Sequence, residues 1–235
     1  MRTENISYTV NERIYRGYLA LPDRSRPGPA VLICHPGVGL VAHTREVTEK
    51  LAELGYVAFA LDYYGDGQPI AIEEVDPRIN ELKDDVDALL AIARGGLAEL
   101  LVRDEVDPAR VAVIGYCFGG SLAFELARSG VDLRAVVGFH AGLWKLAPER
   151  PSQIKGSVLA LAGGSDPHAS HEEQLAFEAE MNAIGADWSL TIYGGAEHAF
   201  TNPESSTRGI GGLAYHQTAD ERSWRAMLAL FDEVL

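Results

Sequence analysis

The stretch VAVIGYCFGGSLAFELA, residues 111–127, constrains the fold of this chain more than any other. VAVIG is a continuous apolar run that reads as a buried strand, and SLAFELARSG carries apolar residues at helical spacing. Between them stand glycines at 115, 119 and 120, with Cys117 in their midst. Glycine tolerates backbone conformations and close approaches that other residues do not, so the junction can turn sharply from strand into helix. A cysteine in such a place is either a small buried hydrophobe or a thiol presented for chemistry.

The rest of the chain repeats the same switch of period. ISYTV and RIYRGYLAL read as a leading antiparallel hairpin, and residues 22–29, rich in proline and arginine, as the loop leading to the first core strand, AVLIC. TREVTEKLAELG predicts a helix capped by Thr44 and stopped at Gly55, followed by a strand over YVAFALDYY. PRINELKDDVDALLAIA predicts one longer helix. Beyond the junction at Cys117 come the strands RAVVGFH and SVLALAGG, a helix through EEQLAFEAEMNAIG, the strand DWSLTIYGG and a closing helix over ERSWRAMLALFDEVL. Strands and helices in alternation predict an α/β fold, with a mostly parallel central sheet and helices on both faces. The 235 residues suit a single domain, 1–235, without repeats or linkers. The segment between RAVVGFH and SVLALAGG is too short for a large cap domain, so a site at the carboxyl ends of the strands should be open.

Charge and composition exclude several partners. A formal net charge of -14, with no clustered lysine or arginine, argues against nucleic acid. No apolar run approaches the roughly 18 residues of a membrane span, and the first residues lack the apolar core of a secretory signal. Two cysteines, Cys34 and Cys117, are no disulfide framework; a reducing, cytoplasmic setting is expected, with Cys34 a buried structural thiol. The oligomeric expectation is a monomer or homodimer.

Gly115-x-Cys117-x-Gly119 has the spacing of the Gly-x-Ser-x-Gly nucleophile elbow, in which a tight strand-to-helix turn lifts the nucleophile above the sheet. A helix amino terminus favours an anion, so a thiol there ionises more readily than a free one, and the Phe118 N–H points where an oxyanion would form. An elbow by itself also fits a purely structural strand end. Partners decide the matter, and the elbow-type order is nucleophile, then acid, then histidine, each after a later strand. Asp166 follows VLALAGG and His198 follows LTIYGG in that order. The expected chemistry is thiolate attack on an acyl carbon, with His198 moving the proton and Asp166 fixing the imidazole.

Each residue also has a plainer reading. Asp166 in SDP is ordinary turn chemistry, and a histidine in a glycine-rich loop is most often a surface group. His168 and His171 have no further ligands at zinc-like spacing, so neither a metal nor another cofactor is expected. His35 and His140, each at a strand end, are candidates for lining the pocket or satisfying backbone groups. Tyr64 and Trp144 are core or rim aromatics first and substrate contacts second.

GYCFGG, followed by LAGGSD and GGAEHAFTNP, resembles the dienelactone hydrolase family of α/β-hydrolases, cysteine enzymes that open a lactone ring. The resemblance spans nearly the whole chain, including LICHPGVGL and LAELGYVAFALDYYG, and implies the α/β-hydrolase fold. It implies Cys117 as nucleophile, Asp166 as acid, His198 as base, and the N–H groups of Phe118 and Gly37 as oxyanion hole. Two positions depart from the family pattern. Pro36 stands where lactone-opening members have an activating glutamate, and Asn202 where members that grip a carboxylated lactone have an arginine; Arg208 lies near in sequence. The expected activity is therefore hydrolysis of small esters, lactones or thioesters, a carboxymethylenebutenolidase-like carboxylic ester hydrolase. The alternatives are a non-catalytic binding module on the same fold and a thiol redox protein pairing Cys117 with Cys34.

Overall fold

A computed structural model describes residues 1–24 and 26–235. Its centre is an eight-stranded sheet in the order β1-β2-β4-β3-β5-β6-β7-β8. β1 (Arg2–Val10) and β2 (Arg13–Leu21) form the antiparallel hairpin, closed by Asn11 and Glu12, both at positive φ as a two-residue primed turn requires. β2 runs antiparallel to β4 (Val57–Leu61). From there β3 (Gly28–Cys34), β5 (Val106–Tyr116), β6 (Ala135–Phe139), β7 (Ser157–Gly163) and β8 (Trp188–Tyr193) are all parallel.

The buried strands sort their side chains by the two-residue period. Leu32 and Cys34 of β3, with Val111 and Val113 of β5, enter one core, while Val31, Ile33, Ala112 and Ile114 enter the other. Helices cover both faces. α3 (Val86–Leu101), α4 (Phe118–Arg128) and α5 (His171–Ile184) pack on the first through residues such as Leu97, Phe124 and Phe177. α1 (Ala42–Glu53) and α6 (Gln217–Val234) close the second through Leu51, Met227 and Phe231. This mixed, mostly parallel sheet between two helical layers is the α/β architecture expected. Residues 140–156, between β6 and β7, contain no helix or strand. No helix among the described residues is long and apolar enough to cross a membrane.

Three local expectations are corrected. Thr44 does not cap α1: the helix begins at Ala42 after Val41, and Thr44 is buried inside its first turn. The strand expected over 56–64 ends at Leu61, because Asp62 turns back to accept the N–H groups of Tyr64 (2.9 Å), Gly65 (2.7 Å) and Gly67 (2.8 Å). The single helix expected over 77–93 is two. α2 (Ile72–Asp84) starts a turn and a half before Pro77, and Asp85 leaves helical geometry (φ -133°, ψ 78°) to cap α3 by accepting from the Ala88 N–H at 2.9 Å.

Candidate active site

β5 ends at Tyr116 and α4 begins at Phe118, so Cys117 is the whole connection. The glycines make this possible. A Cβ on Gly115 would lie 2.1 Å from the Gly119 carbonyl oxygen, and one on Gly119 would lie 2.2 Å from the His35 carbonyl oxygen. Cys117 adopts φ 54°, ψ -126°, a conformation L side chains rarely take. Its N–H is shared between the Phe139 carbonyl (3.0 Å) and His140 Nδ1 (3.2 Å), and its carbonyl accepts from Gly120 (2.9 Å) and Ser121 (3.3 Å).

The positive-φ residues other than glycine, among the described residues, are the two of the hairpin turn and Cys117, His140 (φ 38°) and Ala199 (φ 57°). The last three all lie at this site. Strain of about 1–3 kcal/mol per such residue persists only where the surroundings over-determine the backbone.

Asp166 follows β7 and His198 follows β8, and the carboxylate Oδ2 is 2.8 Å from His198 Nδ1. Asp166 Oδ1 accepts the His168 N–H at 2.8 Å, which fixes the carboxylate plane. His198 is held by its backbone: its N–H donates to the Gly212 carbonyl at 2.9 Å and its carbonyl accepts from Ala214 at 3.2 Å. Asp166 and His198 are both buried.

The electrostatics tie the sulfur to this pair. Burial alone would push the Cys117 thiol up, but the charge and hydrogen bond of His198, joined by the N–H groups of Gly37 and Phe118, bring it below its ordinary value. Burial would lower His198, yet the facing Cys117 sulfur and the Asp166 hydrogen bond raise it to about 10. The arrangement favours a thiolate facing an imidazolium. The same two N–H groups, Gly37 and Phe118, are those expected to form the oxyanion hole.

The cleft around Cys117 encloses roughly 660 Å³ and is open on one side. His140, Trp144, Asn202 and Arg208 line it. Asn202 turns its Oδ1 to the Glu204 N–H (3.0 Å), capping the 3-10 turn Pro203–Thr207, and Arg208 closes that turn. His35 and Tyr64 are not among the lining residues; they sit beneath the loop that carries Gly37. The Tyr64 hydroxyl donates to the Gly37 carbonyl (2.8 Å), and His35 lies between the Pro36 carbonyl (Nδ1, 2.7 Å) and Asp62 Oδ1 (Nε2, 3.3 Å). Both therefore brace the loop of Pro36 and Gly37 from below.

Sequence reasoning missed one wall. α2 has no buried residue, yet Ile72, Val75 and Ile79 line the cleft, and a Cβ on Gly37 would lie 2.8 Å from Ile79 Cδ1. The signal lies in the i, i+3, i+7 spacing of those three apolar residues, on either side of Pro77. His43 was also missed. It lines the cleft with Nε2 buried and without a hydrogen-bond partner, and burial with Lys50 nearby pushes it down to about 4. Among the described residues no cluster of three or more His, Cys, Asp or Glu side chains could hold a metal ion.

A mostly parallel sheet with an elbow after β5, an acid after β7 and a histidine after β8 defines the α/β-hydrolase class. Residues 15–235 match the dienelactone hydrolase family. The chain belongs to that family and is a dienelactone hydrolase-like hydrolase. Among solved structures it is similar to one named m3DLH, 42% identical with a TM-score of 0.96 over 100% of this chain and 98% of that one. A dienelactone hydrolase-like promiscuous phosphotriesterase from metagenomic libraries is 35% identical, with a TM-score of 0.94 over 99% of this chain and 98% of that one. Protein usf of Aquifex pyrophilus is 27% identical over 238 residues, covering 98% of each chain.

Proposed function

We propose that this protein hydrolyses carboxylic esters, lactones or thioesters through Cys117, His198 and Asp166. The observation that carries the reading is the 2.8 Å contact between His198 Nδ1 and Asp166, with the other face of the imidazole turned to a thiol at a helix amino terminus. The thiolate attacks the acyl carbon, and the oxyanion takes the N–H groups of Gly37 and Phe118, each such donor being worth about 3 kcal/mol. His198 gives its proton to the departing alkoxide or thiolate, leaving a thioester on Cys117. It then takes a proton from water, whose oxygen attacks the thioester; the acid leaves and the thiolate and imidazolium are restored.

Pro36 and Asn202 stand where lactone-opening relatives carry a carboxylate and a cation, while Lys83 and Arg208 line the cleft and keep positive charge at its wall. The missing carboxylate at position 36 and the apolar wall of Ile72, Val75 and Ile79 favour esters with an apolar group against α2 over a dienelactone. A thiol redox role has little support, since Cys34 is fully buried and its thiol is pushed up by burial. A second reading is phosphotriester cleavage, favoured by the 35% identity to the metagenomic phosphotriesterase and by an elbow thiolate able to attack phosphorus as it would carbon. The cytoplasm, with its reducing thiol pool, is the setting in which such a cysteine stays active.

The test is hydrolysis of a short-chain aryl acetate by purified protein, beside a dienelactone and an aryl phosphotriester. Cys117→Ala, folded by circular dichroism, should lose activity on every substrate the wild type cleaves. Retained activity would remove Cys117 as nucleophile, and failure of the wild type on a broad ester panel would favour the binding-module reading.

A further inference from the structure

His140 is a buried histidine for which the chemistry above has no use. It follows β6 directly, with its own N–H donated to the Leu161 carbonyl at 2.8 Å and its φ at 38°. A residue with a β-carbon is uncommon in that region, and Gly would be the easier one. The imidazole therefore has to justify its place by what it touches. Nδ1 lies 3.2 Å from the Cys117 N and Nε2 2.9 Å from Thr201 Oγ1. The ring stands edge-on to His198, centroids 5.1 Å apart at 69°, and edge-on to Phe200 at 5.2 Å.

These partners fix the tautomer. A peptide N–H can only donate, so Nδ1 carries the lone pair, and Nε2 carries the proton that goes to the Thr201 hydroxyl. The groups facing the ring keep it uncharged: His198, Tyr116 and Phe200 pack against it, and burial together with the positive charge of His198 holds it well below the ordinary histidine value. A protonated ring would set a second N–H against the Cys117 N–H.

Satisfying the Cys117 N–H is not what the ring is for, because the Phe139 carbonyl already accepts it at 3.0 Å. What the imidazole adds is a rigid link between two separate connections, the turn at Cys117 and the turn 198–201 that carries His198. We propose that His140 is a positioning residue of the reaction, whose neutral imidazole sets the register of the Cys117 elbow against the His198 loop through Thr201. The inference rests on the reading of Cys117 and His198 as nucleophile and base.

Three variants test it against aryl acetate turnover and against the rate of iodoacetamide alkylation of Cys117, with circular dichroism as the folding control. His140→Leu keeps bulk and removes both links. A displacement of about 1 Å between reacting groups costs on the order of a hundredfold, so kcat should fall at least about tenfold with KM little changed, and alkylation should slow with it. His140→Asn places an amide oxygen near the position of Nδ1 and suits a positive φ, so its kcat should lie between wild type and His140→Leu. Thr201→Val keeps shape, loses the hydroxyl and should lower kcat while leaving KM unchanged.

Wild-type kcat and alkylation in His140→Leu would overturn the proposal. So would equal losses in His140→Leu and His140→Asn with Thr201→Val unaffected, which would mark the ring as packing alone. Should His140→Leu fail to fold, the other two variants decide: a drop in kcat for Thr201→Val supports the link, and wild-type kcat there refutes it. Cys117→Ala assayed in parallel separates the two levels, since activity in that variant defeats the nucleophile assignment, whereas its inactivity beside an unaffected His140→Leu defeats only the link.

Discussion

At the scale of single residues, the proposed chemistry depends on one proton shared unequally between Cys117 and His198. The thiol lies below its ordinary value and the imidazole is raised to about 10 because each stabilises the other's charged form. The two titrate as a pair, so the pH profile reports the pair and neither group alone. Between the two values the thiolate and the imidazolium coexist; activity should rise as the thiol ionises and fall above about pH 10 as His198 loses the proton it must donate. In His198→Ala the thiol loses its main partner. Iodoacetamide labelling followed against pH should then show its midpoint move up, towards or beyond the free-thiol value of about 8.5, and an unchanged midpoint would mean that His198 does not set the thiol. The convergence of Cys117, Asp166 and His198 is legible in the sequence because the motif announces itself locally: glycines around the elbow, an acid and a histidine each just past a strand. The bracing by His35 and Tyr64 and the link through His140 are not, because they depend on which carbonyl or N–H a side chain meets across the sheet. His35 reaches Asp62, 27 positions away, and His140 reaches Thr201, 61 positions away.

At the scale of elements, strands were read more securely than the helices over the site. β3, β6, β7 and residues 111–116 of β5 are buried on both faces and appear as apolar runs, a signal that survives without tertiary information. The α2 and α3 pair was read as one helix because the residues around Asp85 are polar and solvated, and the break is made by a single side chain capping the second helix. α2 is held only lightly, with no buried residue of its own, yet it supplies the apolar wall beside Gly37. Ile79→Ala should therefore alter binding more than stability. A several-fold rise in KM for an aryl ester is expected, since each lost buried methylene costs about 0.8 kcal/mol, with the melting temperature nearly unchanged. A large drop in melting temperature with KM intact would assign Ile79 to the core and not to the cleft.

At the scale of the whole molecule, the sheet order brings three distant segments to one rim. β5 is central, and β6, β7 and β8 follow it outwards in sequence order, so the connections after β5, β7 and β8 all open on the carboxyl side. Residues 117, 166 and 198 meet there although 81 positions separate the first from the last. The elements that fix this meeting, the parallel strands and the glycine-bound elbow, are the ones the sequence declared; the cleft's shape, set by α2 and by the turn at 198–208, emerges only when the layers are assembled. With Cys117 as nucleophile, its sulfur becomes acylated during turnover. Rapid quenching of the enzyme with an aryl acetate, followed by peptide mass mapping, tests it most directly. The prediction is a single transient acetyl group on the peptide that contains Cys117, absent in Cys117→Ala. Steady turnover with that peptide unmodified at every quench time, or the acetyl group on any other side chain, would contradict it.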